Sequence, residues 1–346
     1  MNKSIVRLLT ISLIAVVSAC SSNPSSNSSE SNSSSTNASG SLVNSNSSTS
    51  NGNQSHPMRD NELYTDSLSI TFNAKGARIQ TVNWKGTGIG KDGFIVGRCA
   101  NRIDGAKFTL NGETYNLTRF SDGSSLHGGG SGGNWQGPFA NATWEKVGQT
   151  ADTITYKLES KDGDNGYPGN MTMTVKYTLD ESGKLDIEYT ATTDKDTLCN
   201  PTNHLFMNLN GNTSYSNIKL WIDADSYTPL KSNQIPTGDI ASVEGTKYDY
   251  RTEQNFRSSE SYDDNLVLNG SGYRKVATMT GTTLGVKVDV YTDRPGLQLY
   301  KENSGRICLE TQMFPDAINQ PDFEDPILRA GETFSSKTSY CFSQAK

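Results

Sequence analysis

Two histidines in polar segments are the residues of this sequence best suited to proton transfer. The 346-residue chain contains three histidines, and histidine is the side chain that titrates near neutral pH. His56 lies in a polar tract, which leaves His127 and His204 for acid–base chemistry in a folded domain. His127 stands in the segment SLHGG at 125–129, and His204 stands in PTNHLFMNL at 201–209.

Two further segments carry more polar residues than plain strands need. Residues 97–103 read GRCANRI, and residues 308–312 read CLETQ, followed by FPDAIN at 314–319. Each residue also has a structural interpretation. His127 before two glycines fits a tight turn, and Glu310 after Leu309 fits a strand position that faces solvent. Taken singly, none of these residues establishes a site.

The chain around these segments reads as a succession of β-strands. From about residue 60 onward, apolar and polar residues alternate, the period-two pattern of a strand with one buried face. The alternation over 171–179 resumes over 185–191 after turn residues, which predicts a hairpin. Residues 154–158 and 284–290 repeat the pattern. No run of about twelve residues shows a helical stripe.

The spacing of turn residues predicts the fold class. Gly, Asn, Asp and Pro recur at intervals of roughly ten residues over about 280 residues, which is typical of a large sandwich or barrel. No shift in composition marks an internal boundary. We therefore predict one all-β domain over residues 59–346, built as a large sandwich or barrel.

The first nineteen residues predict a signal peptide. Lys3 and Arg7 precede an apolar run of about ten residues, too short for a membrane-spanning helix but typical of a secretory signal. The run ends in VSAC at 17–20, which resembles the lipobox of bacterial lipoproteins. This resemblance implies cleavage before Cys20 and attachment of a lipid to its thiol. The alternative is an ordinary signal peptide that happens to contain a cysteine.

We predict that residues 20–58 consist of a lipidated Cys20 followed by a disordered tether. This segment is nearly all Ser and Asn, without the apolar periodicity that a core requires. A flexible coil of about 36 residues has a root-mean-square reach of roughly 33 Å. We expect an exported protein, anchored by its lipid to a bacterial membrane on the periplasmic or cell-surface face.

Charge and cysteine usage narrow the class of protein further. A net charge of −6 argues against a nucleic-acid partner. The cysteines beyond Cys20 are Cys99, Cys199, Cys308 and Cys341. None of them forms a CxxC pair, and their spacing fits no zinc or iron–sulfur pattern. These cysteines could form one or two disulfides in an oxidising compartment, but we favour the interpretation that they are buried thiols. The oligomeric state stays open.

Taken together, the polar segments resemble the aldose 1-epimerase family, the galactose mutarotases. The resemblance runs from about Gly76 to Phe342 and includes DGDNGYPG at 162–169, IPTG at 235–238, SYDDN at 261–265 and RPGLQ at 294–298. It implies a many-stranded antiparallel β-sandwich, in agreement with the periodicity. It also implies interconversion of the α and β anomers of free hexoses such as glucose or galactose. Acid–base ring opening and closure needs no metal and no other cofactor.

The resemblance implies a role for each matching residue. Glu310 matches the general base and His204 the general acid. The residues that match sugar-binding positions are Asn101, Arg102, His127, Asp263 and Gln298. A structural ion pair remains an alternative for Arg102. Asp316 could be interpreted as the second carboxylate of a glycosidase pair. In this family, however, the corresponding residue belongs to a turn with Pro315, and we exclude Asp316 from the site.

The sequence departs from the family pattern around this set. Residues 205–207 read LFM where most members have Ser-Tyr-Phe, Asp264 stands where histidine is usual, and a glycine-rich run ending at Trp135 replaces a Gly-Phe pair. These changes leave the preferred sugar open. A non-catalytic carbohydrate-binding lipoprotein is the alternative function. The retention of both histidines and the glutamate argues against it, because a binder needs no matched acid and base.

Overall fold

The computed structural model describes residues 56–130 and 134–346. The predicted signal peptide, Cys20 and the tether up to residue 55 lie outside the described residues. Within the described ranges no helix has the length and apolar character needed to cross a membrane. The one α-helix of these ranges, α1, spans Gly137–Asn141, and 3-10 turns span Asp104–Ala106, Asp164–Gly166 and Ala317–Asn319.

Alternating side chains build two large antiparallel sheets, as the sequence predicts. In spatial order, the ten-stranded sheet consists of β1 (Glu62–Tyr64), β2 (Leu68–Asn73), β3 (Arg78–Trp84), β4 (Thr87–Val96), β14 (Thr202–Met207), β23 (Ile307–Gln312), β22 (Gly296–Lys301), β19 (Asp263–Val267), β16 (Ser226–Tyr227) and β17 (Ala241–Ser242). The nine-stranded sheet consists of β18 (Gln254–Asn255), β15 (Ile218–Ile222), β20 (Arg274–Gly281), β21 (Val286–Thr292), β25 (Thr333–Gln344), β12 (Lys184–Thr193), β11 (Met171–Leu179), β10 (Thr153–Ser160) and β9 (Glu145–Gln149).

Short strand pairs lie outside the two sheets. They are β5 (Arg102–Ile103) with β8 (Ser125–Leu126), β6 (Lys107–Leu110) with β7 (Glu113–Asn116), and β13 (Thr197–Leu198) with β24 (Ile327–Leu328). The pairing of β5 with β8 places Arg102 opposite Leu126, the residue before His127. It therefore brings the first two polar segments of the sequence together.

The predicted hairpin is present, and its register follows the hydrophobic pattern. Strands β11 and β12 pair without a bulge from Met171 with Thr193 to Leu179 with Leu185. The apolar residues of both strands are buried on one face. The predicted strand at 284–290 differs slightly, because Leu284 lies in the turn before β21 and packs there against the core.

The core lies between the two sheets and is tied by tyrosine hydroxyls. The Tyr177 hydroxyl on β11 donates to the carbonyl oxygen of Ala77, beside β3, at 2.6 Å. The Tyr340 hydroxyl on β25 donates to the carbonyl oxygen of Leu309 on β23 at 3.1 Å. A buried hydroxyl without a partner would cost about 1–3 kcal/mol, so these bonds allow large aromatic rings to fill the core.

The central strands β14 and β23 are buried along their whole length. Leu205 and Leu309 pack into the core between the sheets. Phe206 and Cys308, one residue along each strand, belong to a second buried cluster with Phe94 of β4. Because successive side chains of a strand point to opposite faces, His204, Phe206, Cys308 and Glu310 leave the sheet on the side away from the core.

The cysteines beyond Cys20 are buried in the domain, and the end of the predicted tether packs against it. Cys99, Cys199 and Cys308 are buried free thiols, the arrangement favoured from the sequence, and Cys341 is buried in β25. His56 lies against the domain, with its ring 4.8 Å from that of Tyr64 and its Nε2 3.5 Å from Glu181.

Candidate active site

A cavity of about 310 Å³ lies over the outer face of the ten-stranded sheet. Its lining residues are Asn101, Arg102, Phe120, Leu126, His127, Trp135, His204, Asp263, Gln298, Tyr300 and Glu310. All of the residues that the sequence assigns to catalysis or sugar binding are among them. The fold therefore brings together side chains from Asn101 to Glu310, more than two hundred positions apart in the chain.

His204 lies between two side chains of one neighbouring strand. Its Nε2 is 3.3 Å from Oε1 of Glu310, and its Nδ1 is 3.4 Å from Sγ of Cys308. Both partners come from β23, two residues apart and hence on one face. Among the described residues, Oε2 of Glu310 is buried without a hydrogen-bond partner. Glu310 lines the cavity, so this oxygen can accept a hydrogen bond from a hydroxyl of a bound molecule.

Aromatic rings surround the His204 imidazole. Phe94 stacks on it with ring centroids 5.0 Å apart, and the Phe206 centroid lies at 4.7 Å. Trp135 and Tyr300 meet it edge to face at 5.3 and 5.6 Å. These rings exclude water from the back of the cavity, and only 3% of His204 is exposed.

Burial decides the protonation of the His204–Glu310 pair. Removing a carboxylate from water costs several kcal/mol, which exceeds the roughly 1.5–3 kcal/mol that one hydrogen bond to a charged group returns. Burial therefore raises the pKa of Glu310 well above its ordinary value, and the negative charge of Asp263 raises it further. Burial lowers the pKa of His204 to about 3. In the empty site the proton that the pair shares rests on Glu310.

His127 is held by a different kind of partner. The backbone N–H of Asn101 donates to its Nδ1 at 3.1 Å. Because a backbone N–H can only donate, Nδ1 is unprotonated, and the neutral ring carries its proton on Nε2. Burial lowers the pKa of His127 well below its ordinary value, and the neighbouring His204 and Arg102 lower it further, so the ring stays neutral. It offers the cavity an N–H donor.

The loop that carries His127 needs its following glycine. Gly128 has a φ of +83°, and a Cβ there would lie 2.0 Å from the carbonyl oxygen of Gly97. The tight-turn interpretation of the HGG segment therefore holds, and the same turn places the imidazole of His127 at the cavity.

Arg98 anchors the segment that leads to Asn101 and Arg102. It is 1% exposed, and its guanidinium donates to the carbonyl oxygens of Pro168 and Gly169 at 2.7 and 2.9 Å. These acceptors belong to the DGDNGYPG segment. That segment therefore supports the site from behind and does not line the cavity.

A chain of polar contacts forms the opposite wall of the cavity. Arg102 lies between two carboxylates, 3.0 Å from Asp122 and 3.5 Å from Asp263. The other oxygen of Asp263 accepts from Nε2 of Gln298 at 2.8 Å, and Oε1 of Gln298 accepts from Gln312 at 3.2 Å. Arg102 is thus both an ion-pair partner and a cavity residue. The network fixes these donors and acceptors along the cavity wall.

One cluster in the described ranges has the atom types of a metal site. Ligand atoms of His204, Cys308 and Glu310 lie within 4.8 Å of one another. Glu310 faces one imidazole nitrogen and Cys308 faces the other, and the lone pairs of those nitrogens diverge. A single ion can use only one of them, so the arrangement suits hydrogen bonding better than chelation.

Some cavity residues are not evident from the sequence. Phe120, Leu126, Trp135 and Tyr300 line the cavity without having been assigned to it. Trp135 at the end of the glycine-rich run gave the clearest signal, because a large aromatic residue in such a run is unusual for a plain loop. Asp264 does not line this cavity. Its carboxylate accepts from the Tyr248 hydroxyl at 2.7 Å.

The exclusion of Asp316 agrees with its surroundings. Its carboxylate accepts hydrogen bonds from the backbone N–H of Asp104, from Asn319 and from Gln320, at 2.7 to 2.9 Å. It braces a turn outside the cavity.

Known proteins share this sequence pattern. Residues 62–341 match the family described as aldose 1-epimerase. Over 280 residues the chain is 34% identical to the aldose 1-epimerase of Escherichia coli (strain K12), covering 72% of this chain and 79% of that protein. It is 37% identical over 280 residues to the galactose mutarotase of Bos taurus, covering 73% of this chain and 79% of that protein.

Solved structures share the fold. An aldose epimerase homologue from C. elegans has a TM-score of 0.76 at 24% identity, covering 82% of this chain and 98% of that chain. The galactose 1-epimerase from Lactobacillus acidophilus NCFM has a TM-score of 0.71 at 22% identity, covering 84% of this chain and 98% of that chain. At these identities the likeness establishes the fold alone.

Proposed function

The chain belongs to the aldose 1-epimerase family, and from this membership we propose that it is a mutarotase, interconverting the α and β anomers of free hexoses such as glucose and galactose. The observation that carries the proposal is the contact of His204 with Glu310 inside the cavity. One carboxyl oxygen of Glu310 has no partner among the described residues and is available to a substrate hydroxyl.

The reaction needs one base and one acid that exchange roles. A base takes the proton of the anomeric hydroxyl while an acid gives a proton to the ring oxygen, and the hemiacetal opens to an aldehyde. The aldehyde carbon turns about its bond to the next carbon, and the ring closes on the other face with the roles reversed. Both groups must therefore gain and lose a proton readily.

The His204–Glu310 pair meets this demand with a single shared proton. When a sugar binds, its hydroxyls donate to Glu310, which favours transfer of the shared proton to Nε2 of His204 at 3.3 Å. The Glu310 carboxylate then takes the anomeric proton, and Nε2 of His204 protonates the ring oxygen. Ring closure returns both protons, so the pair ends with the one proton it began with.

The remaining cavity residues hold the sugar while its ring opens. The Nε2–H of His127 and the guanidinium of Arg102 donate to sugar oxygens, and Asp263 and Gln298 bind further hydroxyls. Trp135 offers an aromatic face to the apolar side of the ring. Asn101 lines the same wall, and its backbone N–H fixes the tautomer of His127.

Polarimetry tests the proposed activity. Freshly dissolved α-glucose or α-galactose is expected to reach its equilibrium rotation faster with the protein. Glu310→Gln keeps the shape of the side chain but removes the base, so we expect kcat to fall about 10³-fold. A matched melting curve checks that the variant is folded. Unchanged rates across a panel of aldoses would refute the activity, and saturable sugar binding without rate enhancement would indicate the carbohydrate-binding alternative.

We also propose that the chain is exported and anchored to a bacterial membrane through a lipid on Cys20. The support is the VSAC motif after a short apolar run, followed by the Ser/Asn-rich tether. After expression in a bacterial host, the protein is expected to incorporate a labelled fatty acid and to partition into a detergent phase. Cys20→Ala should lose both properties, and equal labelling of the two chains would contradict the anchor.

A further inference from the structure

The sulfur of Cys308 faces the imidazole nitrogen that the proposed reaction leaves unused. Cys308 and Glu310 share a face of β23 and hold the His204 ring from its two nitrogens, at 3.4 and 3.3 Å. The titratable groups that face the ring are these two, Tyr300 at 5.6 Å between ring centroids and His127 at 5.7 Å.

The state of Cys308 follows from its surroundings. It is fully buried in a cluster with Phe94, Val96 and Phe206. Burial raises the pKa of the thiol well above its ordinary value, and the neighbouring Glu310 raises it further, so it remains an uncharged S–H group. A neutral thiol sulfur can donate or accept a weak hydrogen bond. The question is which of these it does toward His204.

We propose that Cys308 is a positioning residue, whose sulfur accepts a hydrogen bond from Nδ1–H of His204 and so reserves Nε2 for proton transfer. The inference rests on the proposed mutarotase function and deepens it. The two histidines of the cavity then hold opposite neutral tautomers. His127 carries its proton on Nε2 because a backbone N–H occupies its Nδ1, and His204 carries its proton on Nδ1.

The proton balance of the reaction requires this direction. Nε2 of His204 must accept the shared proton from Glu310, give it to the ring oxygen and take it back on closure. If the thiol donated to Nδ1, the proton of the neutral ring would sit on Nε2, which then could not accept another. With Nδ1–H facing sulfur, the Nδ1 proton stays in place through the whole cycle, and only the Nε2 proton moves.

The tautomer can be read directly by nitrogen NMR of the full-length chain labelled with 15N-histidine. Only three histidines contribute signals, and His56→Gln and His127→Gln assign them. We expect His204 to show a protonated Nδ1 and an unprotonated Nε2, and His127 to show the reverse. A protonated Nε2 on neutral His204 overturns the inference, whatever the activity of the protein.

Substitution of Cys308 tests its contribution to the rate. In Cys308→Ala we expect a mixture of His204 tautomers and a kcat about fivefold lower, the equivalent of one ordinary hydrogen bond, with KM unchanged. Cys308→Ser restores an acceptor and should recover both the tautomer and most of kcat. Cys199→Ala removes a buried thiol that packs in the main core and should leave tautomer and kcat as in the wild type.

The outcomes separate this inference from the proposed function. A wild-type protein that does not accelerate mutarotation refutes the function, even if His204 shows the expected tautomer. An active wild type whose Cys308→Ala variant keeps the Nδ1–H tautomer and full kcat refutes the positioning role alone. If Cys308→Ala does not fold, the wild-type spectrum and Cys308→Ser decide between the two.

Discussion

His127 and His204 lie in one cavity with ring centroids 5.7 Å apart, yet their surroundings differ in kind. His127 belongs to a loop and is held by a backbone N–H. His204 belongs to a central strand, and its two ring nitrogens face side chains, the carboxyl of Glu310 and the thiol of Cys308. A backbone donor fixes one protonation state, whereas a carboxyl partner shares its proton. In the proposed reaction, this difference separates a wall that holds the sugar from a wall that transfers protons.

Glutamine in place of each histidine gives the largest expected difference between the two walls. His204→Gln removes the group that receives and returns a proton, so kcat should fall about 10³-fold with KM nearly constant. His127→Gln removes a donor to the sugar, so kcat/KM should fall about tenfold to a hundredfold, with much of the loss in KM. Initial rates over a range of sugar concentrations separate the two effects.

This pair of variants carries its own control. Each variant replaces a buried imidazole with an amide of similar length, so a general loss of packing should affect both variants alike. Equal losses of kcat in the two variants would contradict the division of the cavity into two walls.

The acid sensitivity of folding should also distinguish the two histidines. The pKa of His127 is lowered in the folded protein, so its stabilising contribution is present above the unfolded value of about 6.5 and is lost as pH falls below it. Each pH unit costs up to about 1.4 kcal/mol. The His204–Glu310 pair holds one proton both folded and unfolded between about pH 4.5 and 6.5, so it adds no slope there.

Denaturant unfolding at a series of pH values measures this contribution. Between about pH 6.5 and 4.5 the free energy of unfolding should fall less steeply in His127→Gln than in the wild type, by up to about 1.4 kcal/mol per pH unit. Parallel slopes for the two proteins would show that His127 already binds a proton in the folded state.

Substitution of Trp135, at the edge of the ligand-holding wall, is expected to have the smallest effect on the kinetic constants. If its ring stacks on the sugar, Trp135→Ala should raise KM by about threefold to tenfold with little change in kcat, because such aromatic contacts contribute about 0.5–1.5 kcal/mol. Trp135→Phe keeps an aromatic face and should recover most of the loss. Since Trp135 also contacts His204, a fall confined to kcat would instead assign it to the proton-transferring wall.

The strands were predictable from sequence because their signal is local. Alternation over 171–179 and 185–191 gave both strands of a hairpin and the face that each buries. The same local signal failed at Leu284, where an apolar residue packs against the core from a turn. It also left the burial of Glu310 open, since alternation tells which residues share a face but not what covers that face.

The residues of the site could not be predicted from local sequence patterns alone. The seven predicted residues come from four separate segments and two further motifs, and the resemblance to a family brought them together. The additional cavity residues Trp135, in a loop, and Tyr300, in β22, reach the same cavity only through the fold. The contact of Cys308 with His204 depends on the register between β23 and its neighbour β14. Contacts across strands that are about a hundred residues apart leave no trace in the spacing of either segment.

The alternation of β14 and β23 has a consequence for engineering. One face of each strand carries Leu205, Met207, Ile307 and Leu309 into the core, and the other carries the cavity side chains. The two sets are interleaved in sequence but separated in space by the thickness of a sheet. A library that randomises only the cavity-facing positions can explore new sugar preferences without repacking the core, so altered specificity and loss of solubility should be separable outcomes in a screen.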